Sequence, residues 1–229
     1  NSNLFNQLFC NQTCLLMLLC STFPGCVGVS PGQESAVITR AQMQMGTVVK
    51  ITAVARSESI AQAATTAGFT EIHRLEELLS TWIPTSELSR VNTSAGVMPV
   101  SVSPETMAVV QGAIQVAEMT DGGFNIAIGP AVDLWNVIEN QRIPTEPELK
   151  ALRPLLDLKA IHADVRERTI FLEKAGMRID VGGIGKGYAA DQAVMAMKNA
   201  GASAGVVALS GDIKTFGQLP GRKKFPVGI

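Results

Sequence analysis

The sequence predicts an α+β fold in which mixed sheets pack against helices, and three observations predict it. Hydrophobic residues make up 46% of the 229 residues and charged residues 17%, which is typical of a globular protein with a buried core. Segments in which apolar residues alternate are interspersed with segments of helical apolar period. Some predicted strands are joined by short turns and others by helices, and no internal repeat of fixed period is present. We therefore expect one domain over residues 41–229.

Residues 1–40 differ from the rest and are predicted to be a signal-like leader with a tether. No Lys or Arg precedes Arg40, and residues 15–19 form a short apolar run followed by small residues, as in a secretory signal. Gly25 precedes Cys26, as in a signal whose Cys receives lipid. We therefore expect an exported, periplasmic protein attached to the inner membrane by lipid on Cys26; the alternative is an upstream segment without order. All the cysteines lie here, without zinc-site spacing: Cys10, Cys14, Cys20 and Cys26.

The charge of the chain argues against nucleic-acid binding, and the length of its apolar run at residues 15–19 argues against a bilayer-spanning segment there. The formal net charge is −1, and the longest basic run is Arg222-Lys223-Lys224. A nucleic-acid-binding surface carries a larger cluster of Lys and Arg, so we expect no nucleic-acid partner. The apolar run at residues 15–19 is too short to span a bilayer by itself.

The first predicted elements of the domain are a strand over residues 46–55 and a helix that Ser57 caps and that ends near residue 80. Arg74, Glu76 and Glu77 are expected to face water. A loop rich in Ser, Thr, Pro and Asn follows at residues 81–96. The apolar stripe of the helix consists of Ile60, Ala64, Phe69, Ile72, Leu75 and Leu79.

A second helix is predicted to begin at Pro104, with Ser103 as its cap, and to end in a turn at residues 120–123. Gly201 is expected to stop a later helix that starts near Tyr188, after a glycine-rich turn at residues 182–187. The other predicted elements are a short helix at Glu146–Leu152, strands at residues 169–173 and 177–180 joined by a turn at residues 174–176, and a strand at residues 205–209.

Residues 180–191, DVGGIGKGYAAD, are the strongest local indication of a ligand site. Four glycines within six residues let the backbone approach a ligand, and N–H groups at the start of a helix favour phosphate oxygens. Lys186 adds positive charge, and Asp180 can accept hydrogen bonds from ligand hydroxyl or ring N–H groups. The run matches neither a P-loop nor the G-x-G-x-x-G fingerprint. From these residues alone, a structural glycine turn and a phosphate or nucleotide site are equally supported.

Three further segments carry weaker indications. Gly123, Phe124 and Asn125 lie in a polar, glycine-rich turn, which is equally typical of the end of a helix before a strand. Trp82 is suited to stacking on a planar ring, although an indole that covers the edge of the core is the simpler interpretation. Met45, just before the first strand, would by itself be assigned to the core.

Taken together and in this order, these segments resemble the ApbE family of FAD:protein FMN transferases. Each piece is weak alone, but seven in order are highly specific, and they span the chain from residue 45 to about its last residue. The resemblance implies an ApbE-like (T-fold-like) domain whose C-terminal part lies beyond Ile229. The matching pieces are residues 45–47 (MGT), 74–80 (RLEELLS), 86–92 (SELSRVN), 120–125 (TDGGFN), 129–130 with 134–135 (GP and LW), 180–191, and 210–213 (SGDI).

The resemblance implies roles for individual residues. Asp180 and Lys186 would act in catalysis, and the main-chain carbonyl near Gly183 would help to ligate Mg²⁺. Family members usually carry Asp where this chain has Asn125, and the remaining metal ligands, an Asp and a Thr, together with a motif that contains His, are expected beyond Ile229. The residues implied to bind FAD are Met45, Trp82, Gly123, Phe124, Asn125, Asp180 and Lys186.

The implied reaction is transfer of FMN from FAD to a Thr or Ser hydroxyl of an acceptor protein, with release of AMP and with Mg²⁺ on the pyrophosphate. The implied partners are flavin-bearing subunits of exported redox complexes. The alternatives are an FAD pyrophosphatase, in which water replaces the acceptor, and a non-catalytic FAD-binding protein. No nucleophilic Cys or Ser is required, and His73 and His162 are predicted to be structural or on the surface.

Overall fold

The computed structural model describes residues 35–136, 142–221 and 225, and in this part the α+β class is confirmed. The predictions for the leader, for Cys26 and for the basic run Arg222-Lys223-Lys224 lie outside the described residues. The strands are β1 (Ala36–Gln44), β2 (Thr47–Ala55), β3 (Val100–Ser101), β4 (Ile161–Asp164), β5 (Thr169–Leu172), β6 (Ala204–Leu209) and β7 (Asp212–Phe216). The helices are α1 (Glu58–Leu79), α2 (Glu87–Thr93), α3 (Pro104–Met119), α4 (Gly129–Trp135), α5 (Glu146–Leu152) and α6 (Gly182–Asn199).

The larger sheet is antiparallel and has the strand order β1-β2-β6-β7. Val49, Ile51 and Ala53 of β2 are fully buried, as their alternation predicts. The predicted tether is wrong for residues 36–40, because they form the first part of β1 and pair with residues 51–55 of β2. The hairpin β1–β2 therefore ends at a turn made by Met45 and Gly46.

Helices α1 and α6 pack against each other and against this sheet. Ser57 caps α1 as predicted, and its hydroxyl accepts a hydrogen bond from the Ile60 N–H at 3.4 Å. Gly68, in the middle of α1, lets the helix approach its neighbours: a Cβ there would lie 2.8 Å from Ile51 Cδ1 and 3.2 Å from Met197 Cγ on α6. A residue that weakens an isolated helix is thus required by the packing.

Residues 177–180 form no strand, so the predicted strand is wrong. Met177 and Ile179 are fully buried, in keeping with their apolar alternation. The backbone of Ile179, however, binds the side chain of Asn92, which donates to its carbonyl at 3.0 Å and accepts from its N–H at 2.8 Å. The partners of β5 are instead β3 and β4, in a second antiparallel sheet with the order β3-β5-β4.

The predicted loop after α1 contains helix α2, so that prediction is wrong for residues 87–93. The Ser86 hydroxyl caps α2 and accepts from the Ser89 N–H at 3.0 Å. The Glu87 carboxylate accepts hydrogen bonds from three donors at the start of α3: the Ser103 N–H at 2.8 and 3.0 Å, the Ser103 hydroxyl at 2.7 Å and the Thr106 hydroxyl at 2.6 Å. One carboxylate therefore joins the starts of two helices.

Arg74 joins α1 to α3. Its guanidinium lies 2.7 Å from a carboxylate oxygen of Glu71 and 2.8 Å from one of Glu105. Burial acts to raise the pKa of Glu105, but its backbone hydrogen bond and the Arg74 guanidinium together lower it below the usual value. Burial, followed by the negative charge of Glu105, raises the pKa of Tyr188 on α6. The contact of α3 with α1 and α6 thus includes polar groups.

Helix α6 begins at Gly182, so the predicted glycine-rich turn before Tyr188 is wrong. Glycine in a helix interior costs about 1 kcal/mol relative to alanine, which is why the sequence favours a later start. The early start is stabilised by Asp180, whose Oδ1 accepts from the Gly182 N–H at 2.7 Å. Within the described residues, no helix combines the length and the hydropathy needed to cross a membrane.

We expect Glu87→Gln to lower the free energy of unfolding by about 1–3 kcal/mol, because an amide would replace a carboxylate that accepts charge-assisted hydrogen bonds. Urea denaturation of the full chain measures the change. The matched control is Glu118→Gln, at an exposed position of α3, with an expected change within about 0.5 kcal/mol. Equal stability of the two variants would contradict the role of Glu87.

Candidate ligand-binding cleft

A cleft with a cavity volume of about 410 Å³ lies where the β1–β2 turn, the end of α1 and the start of α6 meet. This volume is within the range of sites that bind small molecules, about 300–1,000 Å³. Four of the sequence-predicted site residues lie together here: Met45, Trp82, Asp180 and Lys186. The complete lining is Met45, Gly46, Glu76, Leu79, Ser80, Thr81, Trp82, Ile83, Asp180, Val181, Gly182, Gly185 and Lys186.

The β1–β2 turn forms one wall of the cleft. Gln44 pairs with Thr47, and both residues between them have positive φ, +50° at Met45 and +68° at Gly46. Two such residues define the tight turn that matches the twist of a hairpin, for which Asn-Gly is the favoured pair. A methionine at the first position is strained, because its Cβ crowds the backbone. The side chain at residue 45 is therefore held at the cleft in a backbone conformation that methionine seldom adopts.

Glu76 holds this turn and is the site residue that the sequence analysis missed. Its Oε1 accepts a hydrogen bond from the Met45 N–H at 2.7 Å, and its side chain is half-buried in the cleft. The prediction that Glu76 faces water is therefore wrong. Its position four residues after Ile72 and three before Leu79 places it beside the buried stripe of α1. That spacing is the signal in the sequence that could have identified it.

Trp82 lies at the rim of the cleft, just after the end of α1. Its backbone N–H donates to the Ser80 hydroxyl at 3.3 Å, and its side chain is 80% exposed. An indole with this exposure does not cover the edge of the core, which excludes the simpler of the two interpretations of this residue. A large planar surface is therefore available beside the cavity.

The start of α6, with its partial positive charge, and the carboxylate of Asp180 form another part of the lining. The Gly182 N–H is bound by Asp180, and the N–H groups of Ile184 and Gly185 donate to the carbonyl of Val181 at 2.9 and 2.7 Å. The Gly183 N–H has no hydrogen-bond partner among the described residues. Several free N–H groups were expected in this turn, and among those named here only the Gly183 N–H is free of a described partner.

Lys186, one turn into α6, makes no ion pair with a described residue. Its ammonium and the partial positive charge of the helix start act on the same side of the cavity. Lys186 is the one basic residue of the lining, which also contains the carboxylates of Glu76 and Asp180, so an anionic group such as a phosphate is favoured beside Lys186 in particular.

The turn predicted at residues 123–125 does not line the cleft. Phe124 lies beside Gly183, the neighbour of the lining residue Gly182: a Cβ on Gly183 would be 2.9 Å from Phe124 Cε2. Both polar groups of Asn125 are engaged: its Nδ2 donates to the Leu156 carbonyl at 2.8 Å, and its Oδ1 accepts from the Ala127 N–H at 2.7 Å. A role of these residues in ligand binding stays a prediction.

The metal prediction concerns Gly183, which is exposed in the first turn of α6. Across the part of the chain that the structure describes, no group of three or more His, Cys, Asp or Glu side chains could hold a metal ion. Mg²⁺ is commonly bound by one or two carboxylates together with phosphates of the substrate. Asp180, whose Oδ2 makes no hydrogen bond to a described residue, supplies an oxygen donor of this kind. These residues fit magnesium in donor type.

These elements define an α+β protein with a cleft lined by an exposed indole, an ammonium group and two carboxylates. Comparison with protein families matches residues 45–229 to the ApbE family. The match covers most of the chain, and the chain belongs to the ApbE family.

Relatives of known name agree with this assignment. The chain is 27% identical over 186 residues to a FAD:protein FMN transferase of Klebsiella pneumoniae (strain 342), a match that covers 81% of this chain and 58% of that relative. It is 30% identical over 186 residues to a FAD:protein FMN transferase of Treponema pallidum (strain Nichols), covering 78% of this chain and 51% of that relative.

Solved structures show the same fold. The flavin transferase ApbE from Vibrio cholerae aligns with a TM-score of 0.75 and 25% identity, covering 81% of this chain and 61% of that one. The ApbE protein from Thermotoga maritima aligns with a TM-score of 0.73 and 27% identity, covering 80% and 60%. The chain thus spans between 51% and 61% of the lengths of these relatives.

We expect Met45→Asn to be more stable than Met45→Ala by about 0.5–1 kcal/mol. Both substitutions remove the methionine side chain, but asparagine tolerates positive φ better than alanine. Urea denaturation measures the difference. The same two substitutions at Met43, an exposed position in strand β1, are the control, and there asparagine should bring no gain. An equal preference for asparagine at both positions would contradict strain at Met45.

Proposed function

We propose that this protein transfers FMN from FAD to a Thr or Ser hydroxyl of an acceptor protein and releases AMP, with Mg²⁺ as a cofactor. Membership of the ApbE family and the names of the relatives support the reaction class. The observation that carries the proposal is the cleft, where exposed Trp82 and unpaired Lys186 line the same cavity. A dinucleotide with a planar ring and a pyrophosphate requires both kinds of group.

The residues of the cleft divide between the two parts of FAD. Trp82 and Met45 supply apolar surface for a ring, and Phe124, packed on Gly183, adds an aromatic group beside the edge of the cleft. Lys186 supplies a donor for phosphate oxygens from the lining, and the Gly183 N–H, which lies in the first turn of α6 but not in the lining, supplies a second one.

In the proposed reaction the acceptor hydroxyl oxygen forms a bond to the phosphorus on the FMN side of the pyrophosphate. The bond between that phosphorus and the bridging oxygen breaks, AMP leaves with the bridging oxygen, and the hydroxyl proton passes to water or to a basic group. Negative charge grows on the departing phosphate, and Lys186 lies where it can stabilise that charge. Asp180 Oδ2 is available to accept a hydrogen bond from the ligand.

Mg²⁺ belongs to the proposal through the oxygen donors at the start of α6. The main-chain carbonyl near Gly183 would help to hold it, and Asp180 would bind the ligand beside it. When bound, the ion supplies positive charge to the pyrophosphate oxygens.

We also propose that the protein is exported and carries lipid on Cys26, and that its acceptors are flavin-bearing subunits of exported redox complexes. The apolar run at residues 15–19 and the Gly25-Cys26 pair support the location. Mass spectrometry of the mature N-terminus in an exporting bacterium tests it. We expect a lipid-modified Cys26 as the first residue, whereas an N-terminus without lipid would contradict the anchor.

The activity is tested by incubating the full-length protein with FAD, Mg²⁺ and an acceptor that carries the target Thr. We expect fluorescent FMN on the acceptor, detected by gel and by mass, with one AMP released for each FMN attached. Release of AMP without an acceptor at the same rate would indicate a hydrolase. Saturable FAD binding without release of AMP would indicate a binding protein, and both results would contradict the proposal.

Lys186→Ala should raise the Kd for FAD by roughly 10- to 100-fold and slow transfer, because a charge-assisted contact to phosphate is lost. Lys198→Ala, on the same helix, is the matched control: its ammonium lies 5.2 Å from the centre of the Phe216 ring, and it does not line the cleft. Unchanged transfer in Lys186→Ala would remove this residue from the mechanism.

A further inference from the structure

We infer that Glu76 determines ligand specificity in the cleft, by holding the β1–β2 turn with one carboxylate oxygen and accepting a hydrogen bond from an N–H group of a ligand ring system with the other. The inference rests on the proposed function, since it takes the bound ligand to be FAD. It adds a residue to the site and names the chemical group that the residue recognises.

The first half of the role is a contact in the structure. Glu76 Oε1 lies 2.7 Å from the Met45 nitrogen, at the turn residue whose φ is +50°. No other hydrogen bond from that N–H to a described residue is present, so the carboxylate is what satisfies it. Glu76 thereby keeps Met45 at the wall of the cavity.

The second part of the proposed role, the contact with the ligand, is inferred from the other carboxylate oxygen, Oε2. Glu76 Oε2 has no hydrogen bond or ion pair with a described residue, and the side chain lines the cavity. An ionised carboxylate only accepts hydrogen bonds, so a ligand group beside it must donate one. Burying such a carboxylate under a ligand without a donor would be unfavourable, which is how the residue selects its ligand.

The surroundings indicate a ring as the donor. Leu79, Trp82 and Ile83 line the same cavity, and their apolar surface suits a flat heteroaromatic ring. FAD carries two ring systems with N–H donors, the imide of the flavin and the amino group of the adenine. Both present the same chemistry to Glu76, and separate fragments of FAD distinguish them.

The test is Glu76→Gln, which keeps the shape and an oxygen for the Met45 N–H but replaces the free acceptor with an NH₂ donor. Calorimetric titrations of wild type and variant use FAD, FMN and ADP as separate ligands, and thermal melts establish that the variant folds. Glu77→Gln is the matched control, because the adjacent side chain is 62% exposed and lies outside the cleft.

We expect Glu76→Gln to raise the Kd for FAD by roughly 10- to 100-fold. The Kd of only one of the two fragments, FMN or ADP, should rise by the same factor. A loss for FMN assigns the contact to the flavin imide, and a loss for ADP assigns it to the adenine amino group. Unchanged affinities in a folded variant would overturn the inference while leaving the proposed function intact. Failure of the wild type to bind FAD would instead overturn the proposed function itself.

Discussion

The geometry of the cleft depends on how residues 179–182 are held where helix α6 begins. This segment has no strand partner among the described residues, and its hydrogen bonds come from three different places. Asn92 binds both backbone groups of Ile179, the Asp180 N–H donates to the Ile126 carbonyl at 2.8 Å, and the Asp180 carboxylate caps Gly182. Buried backbone groups must be paired, so these contacts determine where α6 begins.

This arrangement explains how a glycine-rich segment is helical at all. Each glycine lowers the intrinsic stability of the first turn, so the helix start relies on Asp180 and on the packing of the later turns. Ala189, Ala190 and Ala193 are buried and allow α6 to approach α1 closely. The exposed side of the first turn, at Gly182 and Gly183, then leaves the backbone open to a ligand, which a side chain at these positions would cover.

The opposite wall shows how local strain and tertiary contact are combined. Met45 adopts a backbone conformation that costs on the order of 1–2 kcal/mol, and the hairpin register together with Glu76 maintains it. Residues from α1, from the β1–β2 turn and from α6 thus form one cavity although they are far apart in the sequence. Because α1 and α6 pack on the same sheet, a change in their packing would alter both walls of the cleft together.

Local patterns were sufficient for four of the regular elements. The alternation in β2, the capped amphipathic helix α1, the Ser103-Pro104 start of α3 and the short helix α5 agree with the structure, since each depends on residues close in sequence. The resemblance to the ApbE family, and four residues of the cleft, also followed from the sequence.

The tertiary structure decided the features that depend on hydrogen bonds between residues far apart in the sequence. A side chain, Asn92, replaces the strand expected beside residues 177–180, and the contact with Met45 turns Glu76 from an expected surface residue into part of the site. The carboxylate of Glu87 joins α2 to α3 across a segment that local composition assigned to a loop. The sequence by itself determined β2, α1, α3, α5 and the family, because local propensity and motif order are encoded locally. The walls of the cleft were decided only by the fold, because hydrogen bonds between distant residues have no local signature.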